Sequence, residues 1–156
     1  MCLDTSVLVA YLTAEPDAPL ANALIQQAIE REVPLVAPYF LWAEVGSVLR
    51  KKIRARALLP ERARQAWTEF TETQIEFVDT QELRRRAWEL AEQFNLPTLY
   101  DAIFLACTEL APAADGTPRE YWTADAQLVQ QLGNAKPTYV RLLSELAPLV
   151  TEEDAR

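Results

Sequence analysis

Apolar residues recur along this chain in two rhythms. Short dense stretches such as Val33 to Ala37 have the length and composition of parallel strands buried on both faces. Between them, spacings such as Leu20, Ala21, Leu24, Ile25 and Ile29 mark helices with one buried side. The pattern predicts a short first strand ending at Asp4 and a helix opened by Thr5-Ser6 that carries Val7, Leu8, Ala10, Tyr11 and Leu12. A second helix follows from Ala18 to Arg31, then the strand Val33 to Ala37. Pro38 is read as the start of a long helix to Arg56, and Leu59-Pro60-Glu61 divides it from another that runs to Thr73, so the two make a hairpin.

The second half repeats the alternation. Ile75 to Val78 is a strand, Asp79 begins a helix to Phe94, and Thr98 begins another to Leu110. Pro112 to Pro118 is a surface loop, Tyr121 to Thr123 a strand, Ala126 to Leu132 a helix, and Thr138 to Leu142 a short last strand. Such alternation implies an α/β fold with a mainly parallel sheet covered on both faces. The 156 residues, half of them hydrophobic, suit one domain over residues 1–150 with a polar tail at 151–156.

Four acids interrupt this apolar framework: Asp4, Glu44, Asp101 and Asp125. Asp4 and Asp125 directly follow the first and fourth strands, on the edge where parallel sheets bind ligands. Glu44 and Asp101 fall about two turns and about one turn into their helices, within reach of the same rim. Each has a structural alternative. Asp4 and Asp125 can cap the helices that follow them, and Asp101 stands three residues after Thr98 as in a capping box. Glu44 lies on the core-facing seam with Leu41 and Val48, where a buried ion pair with Lys51, Lys52 or a nearby arginine is the competing account. Asp79 with Glu82 reads as an ordinary capping box.

Composition narrows the chemistry. The chain has no histidine, so serine–histidine and cysteine–histidine nucleophiles are excluded, and proton transfer and metal binding fall mainly to carboxylates. Three glycines leave no phosphate-cradling loop. Cys2 and Cys107 are expected to be buried and unbridged. A net charge of -8 argues against nucleic-acid binding through the overall field, so any such binding must be local or metal-assisted. One basic patch stands out at the hairpin turn, Arg50, Lys51, Lys52, Arg54 and Arg56 with Arg62 and Arg64, either a solvated face or a contact for phosphates or an acidic partner. No apolar run approaches the roughly 20 residues of a membrane span, which predicts a cytoplasmic protein without membrane contact.

Leu3-Asp4-Thr5-Ser6-Val7-Leu8-Val9, Ala43-Glu44-Val45, Tyr100-Asp101-Ala102 with its apolar helix, and Thr123-Ala124-Asp125 with Leu128 together resemble the PIN-domain nucleases. The resemblance is in particular to the VapC-type toxins of bacterial toxin–antitoxin pairs. The resemblance implies a three-layer α/β/α sandwich with about five strands, and magnesium- or manganese-dependent hydrolysis of RNA phosphodiester bonds. By position it makes Asp4, Glu44, Asp101 and Asp125 the metal-site and catalytic acids, with Thr5, Ser6 and Thr123 in support. It further implies a homodimer silenced by a cognate antitoxin, with Arg50, Lys51, Lys52 and Arg54 contacting RNA or partner. The runner-up is a PIN scaffold that binds RNA or protein with little catalysis.

Overall fold

The computed structural model describes residues 1–111 and 118–146. Five short strands, β1 (Cys2–Leu3), β2 (Leu35–Pro38), β3 (Ile75–Val78), β4 (Tyr121–Thr123) and β5 (Val140–Leu142), form one sheet in the order β3-β2-β1-β4-β5. Every pairing is parallel, so each connection must cross over a face of the sheet. The crossovers supply α1 (Thr5–Leu12), α2 (Ala18–Glu30), α3 (Leu41–Arg54), α4 (Pro60–Glu72), α5 (Gln81–Gln93), α6 (Leu99–Leu110) and α7 (Ala126–Leu132).

From β1 the chain steps outward to β2 and β3, and after returning to β4 it steps the opposite way to β5. Right-handed crossovers therefore put α1 to α4 on one face and α5 to α7 on the other. The packing agrees: α1 touches α2, α3 and α4, while α6 lies on β1, β2 and β4 and pairs with α5. The result is the three-layer α/β/α sandwich that the resemblance implied. Helices α1 and α6 are the innermost of the two layers. Val7, Leu8, Val9, Ala10 and Leu12 are buried in the first, and Ala102, Phe104, Leu105, Ala106, Cys107 and Thr108 in the second. Truncating Leu8, which is 2% exposed, is expected to cost about 3 kcal/mol through lost transfer energy and the cavity left behind.

Two boundaries differ from the sequence reading. Pro38 closes β2 instead of opening a helix. Val36 N–H donates to Met1 O at 3.0 Å on the β1 side, and the same side of Pro38 has no N–H to give, so the β1–β2 ladder ends there. Tyr39 N–H still donates to Val78 O at 3.0 Å, and α3 starts at Leu41. Glu44 consequently stands in the first turn of α3, not two turns in. Asp79 and Glu82 do not form a capping box either. Thr80 is the cap of α5, its hydroxyl accepting from Leu83 N–H at 3.0 Å, and Asp79 instead pairs with Arg84 at 2.6 Å.

Three helices are followed by a left-handed residue other than glycine. Glu32, Arg56 and Asn95 adopt left-handed φ values of 53°, 57° and 50°, each just past the end of α2, α3 or α5. The following residue donates back to the last turn in every case, as with Val33 N–H to Ala28 O at 2.9 Å, so the free carbonyls are satisfied despite the backbone cost. Cys2 and Cys107 are free and buried. Among the described residues no helix is long and apolar enough to cross a membrane. Most of the predicted surface loop, 112–117, and the tail lie outside the described residues.

Candidate active site

Because the chain leaves β1 toward one side of the sheet and β4 toward the other, the topological switch point lies at the carboxyl ends of these two adjacent strands, where open parallel sheets usually place their ligand crevice. Asp4 follows β1 and Asp125 follows β4 by two residues. Glu44 and Asp101 stand in the first turns of α3 and α6. Each of the four acids thus marks the start of a different helix, where the partial positive charge of the backbone favours a carboxylate.

Asp4 is held most firmly. Its backbone N–H donates to Trp122 O at 2.9 Å, extending the ladder to β4. Its Oδ2 accepts from the Ser6 hydroxyl at 2.6 Å and from the Thr123 hydroxyl at 2.9 Å. Those hydroxyls are oriented in turn, since Ala124 N–H donates to Ser6 Oγ and Asp125 N–H donates to Thr123 Oγ1, both at 3.0 Å. Two backbone groups of the β4–α7 turn are therefore coupled through two hydroxyls to one carboxylate oxygen. Thr5 donates to Glu44 Oε2 at 2.7 Å, which ties α1 to α3 beside the same crevice.

The acids also sense one another. Burial, followed by the charges of Asp4 and Asp125, pushes the Asp101 carboxyl up to about 6. Glu44 is raised mainly by burial, with smaller contributions from Asp4 and Asp101 that the Thr5 hydroxyl partly offsets. Burial raises Asp4 against the opposing pull of its two hydroxyl donors. The Tyr121 hydroxyl is fully buried with no well-formed hydrogen bond among the described residues, and burial, followed by the charge of Asp4, raises it against a smaller opposing effect of the Thr123 hydroxyl.

The structural alternatives divide. Asp4 and Thr98 occupy cap positions, yet neither side chain makes a capping hydrogen bond, so capping explains neither Asp4 nor Asp101. Asp125 does cap α7, its Oδ1 accepting from Gln127 N–H at 2.8 Å and Leu128 N–H at 3.2 Å. Among the described residues no lysine or arginine pairs with any of the four acids. The ion pair considered for Glu44 is absent there, and Lys52 turns to Glu15 instead.

Four carboxylates form a hard, all-oxygen donor set suited in charge and type to magnesium or manganese. As the side chains stand, no three acidic or cysteine groups among the described residues are close enough to hold a metal ion together. The fit is one of donor chemistry and charge, with no coordination geometry.

Two surface features lie on the helices that carry Glu44 and Asp101 or next to them in sequence. The basic residues Arg50, Lys51 and Arg54 line a groove of about 970 Å³ between α3 and α4, floored by Gly46 and Trp67 and reached by Trp42. Gly46 makes that floor possible, because a Cβ there would sit 3.1 Å from the Trp67 ring. On the other side Tyr100, beside Asp101, is 60% exposed, and Tyr39 is 59% exposed. The sequence reading gave these rings no role. The available signal was Phe104, four residues after Tyr100 on the same helix face.

A doubly covered parallel sheet with acids on its carboxyl edge defines an α/β/α sandwich. The sequence matches the PIN domain family model over residues 1–113, and the chain belongs to that family. PIN domains are generally nucleases, hydrolases that act on nucleic acids, and they generally use divalent metal ions. No curated protein matches the sequence. The family match ends before β4, although Thr123 of that strand reaches Asp4.

Proposed function

We propose that this chain is a magnesium- or manganese-dependent endoribonuclease, the toxin of a VapBC-type toxin–antitoxin pair. It would act in the cytoplasm as a homodimer restrained by a cognate antitoxin. The nuclease reading is supported by the PIN family match together with four acids, Asp4, Glu44, Asp101 and Asp125, at the starts of four helices, none of them paired with a cationic side chain among the described residues. Leaving such charges together costs stability, and a bound divalent cation removes that cost.

Asp4, Glu44, Asp101 and Asp125 would hold the ion. When bound, it supplies charge neutralisation at the phosphate and activation of water. The chain's own contribution is orientation and proton handling. Ser6 and Thr123 fix the Asp4 carboxylate from two sides, and Thr5 fixes Glu44. Asp125 spends one oxygen on its helix and keeps the other free of hydrogen bonds from α7. Asp101, pushed up to about 6 and without a hydrogen bond among the described residues, is suited to take a proton from the attacking water. The groove carrying Arg50, Lys51 and Arg54 offers the cationic surface for RNA or antitoxin, with Lys52 engaged elsewhere.

The test is cleavage of a mixed RNA pool by the purified protein in magnesium, in manganese and in chelator. It is paired with growth of cells expressing the parent or Asp4→Asn, with and without the neighbouring reading frame. Metal-dependent cleavage and toxicity, both lost in Asp4→Asn, are the expected result. A folded parent that binds RNA but never cuts it would leave the scaffold reading in place.

A further inference from the structure

A line of aromatic rings runs from the core to the rim of the acid crevice. Tyr121 of β4 stacks on Phe104 of α6 with centroids 6.0 Å apart. Phe104 meets Phe40 edge-on at 6.0 Å, and Phe40 meets Tyr100 edge-on at 5.8 Å. Tyr121 and Phe104 are fully buried, whereas Tyr100 lies open to solvent immediately before Asp101. Phe40, which bridges core and surface, precedes α3 and its Glu44. Tyr39, next to Phe40, is also exposed and rests edge-on against Phe77 at 6.4 Å. Tyr100 is therefore linked through Phe40 to the core beside Asp101, whereas Tyr39 leans on Phe77, which is itself 42% exposed.

That arrangement answers a problem set by the charge. With a net charge of -8, the chain gains no help from its overall field in holding a polyanion, and its acid cluster repels one until a cation is present. Affinity must come from contacts that do not depend on charge. Stacking of a base on an aromatic ring is such a contact, and it is open to any base because every base has a π-face. A ring held by a buried neighbour loses little freedom when a base settles on it.

We infer that Tyr100 stacks on an unpaired base of single-stranded RNA next to the phosphate at Asp101. The inference rests on the nuclease reading above, and it names the ring that holds the base there. Duplex RNA keeps its bases stacked on one another and has none to offer.

The test uses an end-labelled single-stranded RNA of about eight nucleotides. Its binding is followed by fluorescence anisotropy in calcium, and its cleavage by steady-state kinetics in magnesium. Tyr100→Ala should weaken binding about tenfold and raise KM by a similar factor with kcat nearly unchanged. Tyr100→Phe and Tyr100→Trp should stay near the parent. An abasic nucleotide at the stacked position should weaken the parent equally and add nothing to Tyr100→Ala. Parental affinity in Tyr100→Ala, or a Tyr100→Phe variant as weak as Tyr100→Ala, would overturn the inference. So would a parental dimer that falls apart on Tyr100→Ala in sedimentation, which would make the ring a contact between copies. The two proposals fail separately. Cleavage indifferent to Tyr100 ends this one alone, and ring-dependent binding without cleavage ends only the nuclease reading.

Discussion

Helix α6 carries two acids whose surroundings are opposite. Near its end, Glu109 receives Arg86 through Nε at 2.6 Å and Nη2 at 3.3 Å, and the Tyr139 hydroxyl at 2.9 Å. Arg119 adds a hydrogen bond to the Glu109 backbone carbonyl at 2.6 Å. At its start, Asp101 has no cation and no hydrogen bond among the described residues, and it faces Asp4 and Asp125. One fold thus neutralises a partly buried carboxylate completely at one end of a helix and leaves another exposed to like charge at the other. With 15 lysines and arginines in the chain, a counterion for Asp101 was within reach of the composition. The contrast separates a paired acid of structural type from an unpaired one, which the proposed function reads as open to a ligand.

The sharpest test of that contrast is activity. Asp101→Asn or Asp4→Asn should lower metal-dependent RNA cleavage by about 100-fold or more, while Glu109→Gln leaves the rate per folded molecule near the parent's. Circular dichroism should show all three variants folded. Cleavage surviving in Asp101→Asn would erase the distinction between the two ends of α6.

Stability should reverse the order. Arg86→Leu leaves Glu109 partly buried without its cation and should cost about 1–2 kcal/mol in urea unfolding, against little or no loss for Asp101→Asn. An unchanged midpoint for Arg86→Leu would reduce the Glu109 cluster to surface decoration.

A smaller effect concerns pH. An aspartate titrating at about 6 in the native state and near 3.9 when unfolded is protonated first in the native state. Between those values the native state binds more protons, so stability rises as pH falls. In metal-free buffer, lowering the pH from about 7.5 to about 5 should add about 1 kcal/mol to the unfolding free energy. The raised Glu44 and Asp4 contribute in the same direction. Asp101→Asn should flatten the rise, and a parent that weakens over this interval would contradict the crowding of charge at the crevice.

The smallest change lies in the groove. Reversing Arg50 and Lys51 to glutamate should weaken RNA or partner binding by about threefold at low salt and less at high salt. Binding that ignores both substitutions at low salt would leave that face as solvated surface.

Much of this was legible from residue order alone, for physical reasons that also explain the misses. Strand-helix alternation fixes a parallel sheet, and an acid directly after a strand must lie on its carboxyl edge, so Asp4 and Asp125 could be placed. Glu44 was put too deep because Pro38 resembles a helix start. It stays in β2, where the N–H it lacks faces the side on which the short β1 has run out of partners. The choice between Asp79 and Thr80 as the cap of α5 turned on a single position, which neighbouring polar residues leave open. Whether Asp4 caps its helix or accepts from Ser6 and Thr123 depends on a contact spanning 119 positions, beyond any local pattern. The exposure of Tyr100 was hidden for the same reason, since it depends on where Phe40 comes to rest.

The hydroxyl clamp on Asp4 also has a consequence for the order of events in the life of the molecule. Its two jaws come from the first few residues and from the strand that is synthesised long after them, so the crevice cannot exist on a half-made chain. The Asp4 carboxylate gains its second hydroxyl donor only once β4 has been made and docked beside β1.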